Sequence, residues 1–440
     1  MDLVIRRARL RGVKGLREIA VNRGRIREIA PKVRGKGDRE IDANGCLVTS
    51  SFVNPHMHAD KALLGEIMRP NVSGTLPEAV EITWEFKRRY TNPDVVARAG
   101  RVIESAILHG TTAMRLFADV DTIGGLRPVH GLLAAKQAYG HLIDLQVVAF
   151  PQEGIIRNPG TEELLWQAME AGADVAGGLP WFELSDEHAR RHIDIVFEIA
   201  RKHGADIHML VDDTDDANSR SLEYLAVKTV AEKYQGRVSA SHCGALARYN
   251  DVYAAKVIGM VKEAEVTICS NPHISLMIAG RLDREPVPRG ITRVRELLRA
   301  GVNVASGQDD VNDPYYPFGR ADQLEVALFM CHAAHLSLPH EIEMAYDLVT
   351  VNAARAMGLK DYGLEVGRRA DLVVLDAPSV HEALRLQAPR RYVIRAGAVL
   401  AESQLTRQLH GTAAPYPRTA PAAPSTPREA RASRQRGRRQ

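Results

Sequence analysis

The feature that most constrains the fold is a regular alternation of apolar, strand-length runs with longer helical patterns in the middle of the chain. Continuous apolar strands that alternate with helices are typical of a parallel sheet buried on both faces. Eight such runs over roughly 300 residues predict a closed (β/α)8 barrel. The runs occupy residues 51–56, 111–117, 142–150, 174–180, 206–211, 237–242, 265–271 and 303–308.

The main alternative is an open, doubly wound sheet. No glycine-rich dinucleotide-binding pattern follows the early strands, which favours the barrel. Short strand patterns also fill residues 1–50 and return in "ADLVVLDA" (370–377) and "RYVIRAGAVLAE" (391–402). Because neither end of the chain can enclose a core alone, we predict one small β domain built from residues 1–50 and 360–405. The barrel would then span residues 51–359.

Composition and charge exclude several classes of protein. Apolar residues make up 45% and charged residues 25% of the chain, as in ordinary globular proteins. No stretch approaches the roughly 18 apolar residues of a membrane span. The small net charge of +4 is concentrated in an arginine-rich tail, 406–440, which we predict to be disordered. We therefore expect neither nucleic acid nor a membrane as partner.

Cysteine usage and the N-terminus indicate a cellular compartment. The four cysteines are scattered and show no CxxC spacing, which is typical of reduced thiols in a cytosolic protein. The first residues, "MDLVIRRARLRGVKG", are too charged for a signal peptide. The sequence therefore predicts a cytoplasmic location.

Polar residues at the ends of three predicted strands indicate a metal site. His56 and His58 end the first strand in "VNPHMHADKALL", and residues two apart on a strand point to the same face. His242 ends strand six and Asp309 follows strand eight, and the carboxyl ends of barrel strands carry the chemistry. Imidazole and carboxylate ligands suit Zn²⁺, Fe²⁺ or Mn²⁺. We predict one such divalent ion at the barrel mouth.

Single strand-end residues are weaker signals than this joint pattern. Gln152 and Glu153 follow strand three, and Asp212 and Asp213 follow strand five. A lone strand-end histidine is usually structural, and paired aspartates after a strand more often cap a helix. A divalent ion would lower the pKa of a bound water, and a nearby carboxylate could then transfer its proton.

Longer stretches around these residues resemble the amidohydrolase superfamily and, within it, the bacterial cytosine deaminases. The similarity covers roughly residues 45–402 and includes "VVAFPQEGI", "LPWFEL", "GITRVRELLRAGVNV", "DDVNDPYYPFG" and "DYGLEVGRRADLVVLDA". A composite β domain from both termini is also a feature of that superfamily. The resemblance implies a metal-dependent hydrolase that deaminates a small N-heterocycle, and it implies a homo-oligomer.

The resemblance also implies roles for individual residues. His56, His58 and Asp309 would bind the metal. His242 would position the attacking water and, with Asp309, help to deprotonate it. Asp213 or Asp212 would transfer the proton. Four further residues would contact the substrate: Gln152, Asp310, Leu76 and Tyr315.

Strand five departs from the family pattern. The relatives have a metal-binding histidine where this chain has Leu210, and a catalytic glutamate where it has Asp213. The strand's histidine, His208, comes two residues earlier, roughly 6–7 Å deeper along the strand. Either a local bulge brings His208 to the ion, or the ion has fewer protein ligands. Gln308 and Phe117 also replace histidines of the relatives, which indicates a different substrate.

Two alternative functions remain open at this point. One is ring opening of a cyclic amide or imide, whose dinuclear enzymes need a carboxylated lysine after strand four. Strand four here, "DVAGGLP", contains no lysine. The other is a non-catalytic binding relative that kept the barrel and lost turnover, an idea that Leu210 motivates.

Overall fold

The N-terminal residues form five short strands in the computed structural model, which describes residues 1–281, 283 and 289–411. These strands are β1 (Leu3–Ala8), β2 (Arg17–Asn22), β3 (Arg25–Ala30), β4 (Arg39–Asp42) and β5 (Leu47–Ser50). β2 and β3 form an antiparallel hairpin whose turn places Arg23 and Gly24 at φ 50° and 71°. The first four strands form one sheet in the order β3-β2-β1-β4.

The apolar runs of the sequence form the predicted barrel. In the described part of the chain, eight parallel strands follow one another in the order of the sequence. Met57 pairs in parallel with Asp309, which joins the first strand to the residues after the last one and closes the sheet. The open doubly wound alternative is therefore wrong. The strands are β6 (Phe52–Met57), β7 (Thr111–Asp119), β8 (Asp144–Phe150), β9 (Val175–Gly178), β10 (Asp206–Val211), β11 (Val238–His242), β12 (Thr267–Cys269) and β13 (Val304–Ala305).

Helices surround the barrel, and the main apolar core lies between them and the strands. Helix α5 shows why they form, since Ser185 caps its first turn by accepting from the His188 amide, and Gly204 ends it in the left-handed conformation that favours glycine. The helices are α1 (Leu76–Lys87), α2 (Asn92–Leu108), α3 (Arg127–Tyr139), α4 (Thr161–Glu170), α5 (Asp186–His203), α6 (Ser221–Ala231), α7 (Asp251–Glu263), α8 (Pro272–Ile278), α9 (Val294–Ala300), α10 (Gln323–Ala333), α11 (Pro339–Asp347), α12 (Val351–Ala356) and α13 (Val380–Leu386).

Both chain ends contribute to the small β region, as predicted. β14 (Leu372–Leu375), β15 (Arg390–Arg395) and β16 (Ala398–Glu402) form a sheet with β5 in the order β16-β15-β14-β5. The region thus contains two sheets, because the turn after β4 separates β4 from β5. The bridges Arg9–Leu47 and Arg25–Arg369 connect them. The predicted domain limits stay predictions.

Residues Met1–Gln404 form one compact unit. The predicted disordered tail, 406–440, lies outside the described residues from position 412 onward. Among the helices that the structure describes, none combines the length and the apolar character that crossing a bilayer requires.

Candidate metal centre and active site

Four of the predicted residues converge at the mouth of the barrel. His56 Nε2 lies 3.2 Å from His58 Nε2 and 3.3 Å from Asp309 Oδ1. His58 Nε2 is 3.5 Å from the same Asp309 oxygen. His242 Nε2 is 3.4 Å from the other oxygen, Oδ2. All four residues are at most 4% exposed, so these donor atoms share one buried centre.

The backbone turns the side chains of His242 and Asp309 into this centre. Both residues have left-handed conformations, with φ of 68° and 70°, which non-glycine residues adopt at a cost of about 1–3 kcal/mol each. Two hydrogen bonds hold Asp309 against the first strand. The His58 amide donates to the Asp309 carbonyl at 2.8 Å, and the Asp309 amide donates to the His56 carbonyl at 3.0 Å.

The residues at this centre fit a divalent ion. Donor atoms of His56, His242 and Asp309 all lie within 4.8 Å of one another. Neither ring nitrogen of His242, nor Nδ1 of His58, has a hydrogen-bond partner among the described residues. Buried polar atoms without partners cost about 1–3 kcal/mol each, a cost that coordination would remove. Burial lowers the pKa of His56 and, more strongly, of His58, which keeps both imidazoles neutral and able to ligate.

Neighbouring side chains orient two of these groups. His56 Nδ1 lies 2.7 Å from Ser241 Oγ, so a ligating Nε2 would leave an Nδ1–H to donate to that hydroxyl. Asn271 Nδ2 donates to Asp309 Oδ2 at 2.9 Å. Such outer contacts fix the orientation of metal ligands and increase their affinity.

His208 does not reach the centre, and the expectation that a bulge makes it a ligand is wrong. The pairing of β10 with β11 runs without a register shift from Ile207 to Val211, so the strand has no bulge there. Arg115 Nη1 donates to His208 Nδ1 at 3.1 Å, because a guanidinium can only donate. His208 Nε2 must then carry the hydrogen, and it lies 2.7 Å from Ser241 Oγ. Both nitrogens are therefore occupied deep inside the barrel.

Apolar side chains line one side of the centre. Leu210 lies at the cavity and belongs to a buried apolar cluster with Phe117, Phe150 and Leu179. The Phe117 ring stacks on His56, with 4.1 Å between centroids and 23° between planes. The centre is thus flanked by apolar groups on the side of strands two to five.

A small cavity beside the centre collects the other predicted residues. It has a volume of about 60 Å³ and contains His58, His242 and Asp309 in its wall. The remaining predicted residues in its wall are Asp213, Gln152, Asp310, Leu76 and Tyr315.

The two aspartates after strand five have separate environments. Asp213 faces the cavity, and its Oδ1 lies 3.7 Å from His242 Nδ1. Asp212 instead accepts hydrogen bonds from the amides of Ser221 and Leu222, both at 2.9 Å. Asp212 therefore caps α6, and Asp213 is the carboxylate available to a substrate.

The sequence profile of the amidohydrolase family matches residues 39–405. The chain belongs to the amidohydrolase family. That family is hydrolytic and metal-dependent, so the chain is an enzyme of the predicted class, and the alternative of a non-catalytic relative is not supported.

Three relatives place the amidohydrolase among enzymes of heterocycles. It is 29% identical to N-isopropylammelide isopropyl amidohydrolase of Pseudomonas sp. (strain ADP), over 92% of this chain and 98% of the relative. It is 30% identical to a pterin deaminase of Rhizobium rhizogenes, over 88% of each chain. The crystal structure of 5-methylcytosine deaminase from Klebsiella pneumoniae with phosphonocytosine matches with a TM-score of 0.88 and 36% identity, over 92% of this chain and all of that one.

The amidohydrolase also contains a buried ionic network that sequence reasoning missed. Lys61 Nζ donates to Asp119 Oδ1 and to Gln152 Oε1, both at 2.9 Å. Lys87 Nζ lies 2.9 Å from Asp119 Oδ2 and from Glu153, and 2.6 Å from Asp121. Both ammonium groups are fully buried, and their pKa values are raised despite burial because these carboxylates surround them.

One further carboxyl belongs to this network. Asp60 Oδ2 accepts from the Asp119 amide at 2.9 Å, and burial together with the Asp119 charge raises the pKa of Asp60 to about 7. A sequence signal for the network existed. Asp60 and Lys61 come two and three residues after His58, and Asp119 ends β7, so charged residues lie at the ends of adjacent strands.

Proposed function

We propose that this amidohydrolase deaminates a small N-heterocycle with one divalent ion. The observation that supports this most is the convergence of His56, His58, His242 and Asp309 within 3.2–3.5 Å contacts, beside Asp213 in the same cavity. Imidazole and carboxylate donors of this kind suit Zn²⁺, Fe²⁺ or Mn²⁺.

His56, His58 and Asp309 would hold the ion, with His242 beside it. A divalent ion in such a site lowers the pKa of a bound water to near 7 and supplies a nucleophile at neutral pH. A second acidic group, formed by His58, Asp60 and Asp119, contains the Lys61 ammonium at 2.9 Å from Asp119. Since a lysine already neutralises that group, the arrangement favours one ion per chain.

Asp213 is the proton carrier in this proposal. Burial raises the pKa of Asp213, which brings a carboxyl closer to the range where it both accepts and releases protons near neutral pH. Asp213 would take one proton from the attacking water and deliver it to the ring nitrogen. It would then take the remaining proton from the hydroxyl of the adduct and deliver it to the amino group, which leaves as ammonia while the ring carbonyl forms. His242, 3.7 Å away, would orient the water toward the amidine-like carbon.

Gln152 and Asp310 would recognise the ring. Because Lys61 can only donate, Gln152 must turn Oε1 toward it, which leaves the amide NH₂ group for the cavity. That group suits a ring carbonyl oxygen. Burial and the adjacent carboxylates of Asp313 and Asp309 raise the pKa of Asp310 well above its ordinary value, so a protonated Asp310 can donate to an unprotonated ring nitrogen.

Ring opening of a cyclic amide or imide is less well supported. The strand that would carry the bridging lysine, β9, reads Val-Ala-Gly-Gly. The second acidic group is already neutralised by Lys61, so the site favours one ion.

The test uses the purified full chain loaded with Zn²⁺, Fe²⁺ or Mn²⁺ in turn. Aminopyrimidines, aminotriazines and aminopteridines are offered, and ammonia release is measured beside the metal content per chain. We expect ammonia release from at least one ring and about one ion per chain. The same chain stripped with a chelator is the control.

Two results would contradict the proposal. Ring-opened products with two ions per chain would support the cyclic amide hydrolase instead. No turnover across the whole panel with all three metals would remove deamination as the function.

A further inference from the structure

Two cavities lie against one wall at the mouth of the barrel. The inner cavity contains the candidate metal centre and has a volume of about 60 Å³, room for on the order of five waters. The outer cavity has about 480 Å³. Both cavities have four lining residues in common: Leu76, Val80, Trp181 and Phe182.

The wall consists of Leu76 and Val80 on α1 and of the segment that follows β9. Trp181 and Phe182 lie there, with their rings 5.8 Å apart and nearly perpendicular. On its outer side the cavity is mostly apolar, with Pro77, Trp84 and Ile123. The segment therefore separates the inner cavity from the larger, mostly apolar outer cavity.

Glu183 ties this wall to the loop after strand three. Its Oε1 accepts from the amides of Ile155 at 2.6 Å and Ile156 at 3.0 Å, and its Oε2 accepts from the amide of Arg157 at 2.8 Å. Gly154 has φ +82°, and a Cβ there would lie 3.0 Å from Glu183 Oε1. Glycine is required for this close approach.

His192 ties the other end of the wall. Its Nδ1 lies 2.7 Å from Glu183 Oε1, and its Nε2 accepts from the amide of Leu179 at 2.9 Å. These partners fix a neutral imidazole with the hydrogen on Nδ1. His192 is fully buried. Its bonds to Leu179 and Glu183 fix the residues on either side of Trp181 and Phe182 in the sequence.

Arg157 adds a third restraint. Its Nη1 donates to the Phe182 carbonyl at 3.1 Å, and its guanidinium lies 4.3 Å over the centre of the Phe182 ring. The loop that carries Gln152 and the wall that carries Phe182 are thus fastened together.

We propose that Glu183 and His192 are positioning residues that set which ring size the site accepts. By holding Trp181 and Phe182 between the two cavities, they confine the substrate to a single six-membered ring and exclude fused or bulky N-substituted rings. This inference rests on the proposed deamination. It also separates the substrates named for the relatives, since 5-methylcytosine is a single ring, pterin is fused and N-isopropylammelide is N-substituted.

The test compares ring sizes in matched variants of the full-length, metal-loaded chain. Glu183→Gln keeps the shape of the side chain but places an amide NH₂ group among backbone donors. We expect kcat/KM for an aminopyrimidine to fall at least about tenfold, chiefly through KM, because the wall moves while the metal ligands do not. The ratio of aminopteridine to aminopyrimidine kcat/KM should rise at least about tenfold, with the ion affinity unchanged.

Glu187→Gln is the control, because Glu187 is an exposed residue at the start of α5. Trp181→Ala opens the wall directly and leaves Glu183 and His192 in place, so it decides the matter even where Glu183→Gln does not fold. It should shift the ring preference in the same direction.

An unchanged ratio in Trp181→Ala would overturn the inference. So would equal losses on both rings together with loss of the ion in Glu183→Gln. Wild-type turnover of both ring sizes at similar kcat/KM would remove this inference and leave deamination intact. Wild-type inactivity on every ring would remove the proposed function and the inference with it.

Discussion

The two halves of the barrel mouth differ in chemistry. Strands β6, β11 and β13 present imidazoles and a carboxylate at their carboxyl ends, in His56, His58, His242 and Asp309. Strands β7 to β10 contribute a cluster of aromatic and aliphatic side chains on the opposite side, where Gln152 and Asp213 also line the cavity. Its members at the mouth are Phe117, Phe150, Leu179 and Leu210.

The difference assigns two tasks to two sides of the site: binding an ion, and excluding water. The donor groups on one side can hold an ion, and Asp213, which follows β10, adds one carboxylate from the other side. Apolar groups on the other side exclude water, and a lower local dielectric strengthens every charge interaction in the site. The halves meet where Phe117 stacks on His56.

The largest expected effect comes from breaking the polar half. Asp309→Asn removes the anionic group between His56 and His242. We expect loss of the ion and a fall in turnover of about 10³-fold or more, because activation of water by the ion contributes several kcal/mol. Metal content per chain and ammonia release check this, with Asp251→Asn on an exposed helix end as control. Full metal content with normal turnover would contradict it.

A smaller effect is expected from the proton carrier. Asp213→Asn should lower kcat about 100-fold and leave the metal content intact. Asp212→Asn is the neighbouring control, and it should mainly cost about 1 kcal/mol of stability through the weakened cap of α6. Comparison of kcat with thermal unfolding separates the two. A greater loss of kcat in Asp212→Asn would reverse the assignment.

The apolar half can be converted toward the polar one. Leu210→His places an imidazole in the cavity beside His58, His242 and Asp309, and we expect about tenfold or more tighter ion binding. Leu179→His makes the same change on the adjacent strand end and serves as control. Competition with a chelator measures both affinities. Equal gains in both variants, or none in Leu210→His, would show that Leu210 does not face the ion.

The smallest effect concerns acid stability of the wall on the apolar half. Burial lowers the pKa of His192 against the opposing pull of Glu183. The folded protein therefore resists protonation, while the unfolded chain binds a proton below its ordinary pKa of 6.5. The contribution of His192 to the free energy of unfolding is fully present above pH 6.5 and declines as the pH falls below it. The total loss is about 1.4 kcal/mol for each unit by which folding lowers the pKa of His192.

Glu183 acts in the same direction at lower pH. Its pKa is below the ordinary 4.5 because His192 and the backbone amides outweigh the effect of burial, so its contribution disappears as the pH falls below 4.5. Thermal unfolding from pH 7 to 5 in wild type and His192→Gln isolates the histidine. Parallel curves for the two proteins would contradict its role.

The polar half and the barrel were readable from the sequence because each depends on local pattern. Apolar runs predicted the strands, and His56, His58, His242 and Asp309 followed from the rule that strand ends meet at one mouth. The position of His208 was not readable, since the register of β10 against β11 decides its depth. The division of the small β region into two sheets was likewise not readable from the sequence. A turn at Asn44, with φ 49°, separates β4 from β5.

The ionic network was missed for a different reason. Lys61, Lys87, Asp119 and Glu153 are far apart in the sequence and belong to different elements, so only the tertiary fold brings them within 2.9 Å contacts. The wall held by Glu183 and His192 has the same character. Neither residue directly follows a barrel strand, so the strand-end pattern that predicts the metal site does not include them.

The contact between Met57 and Asp309 has a consequence for assembly of the chain. It joins the first and the last segments of the barrel, and β13 itself has only the two residues Val304–Ala305. Contacts between such distant segments form late in folding, because a long loop must close first. An ion bound by residues on both sides of this contact would stabilise the closed barrel. Refolding yield should therefore rise with metal in the buffer, and removal of the metal with a chelator should open the barrel first between β6 and β13.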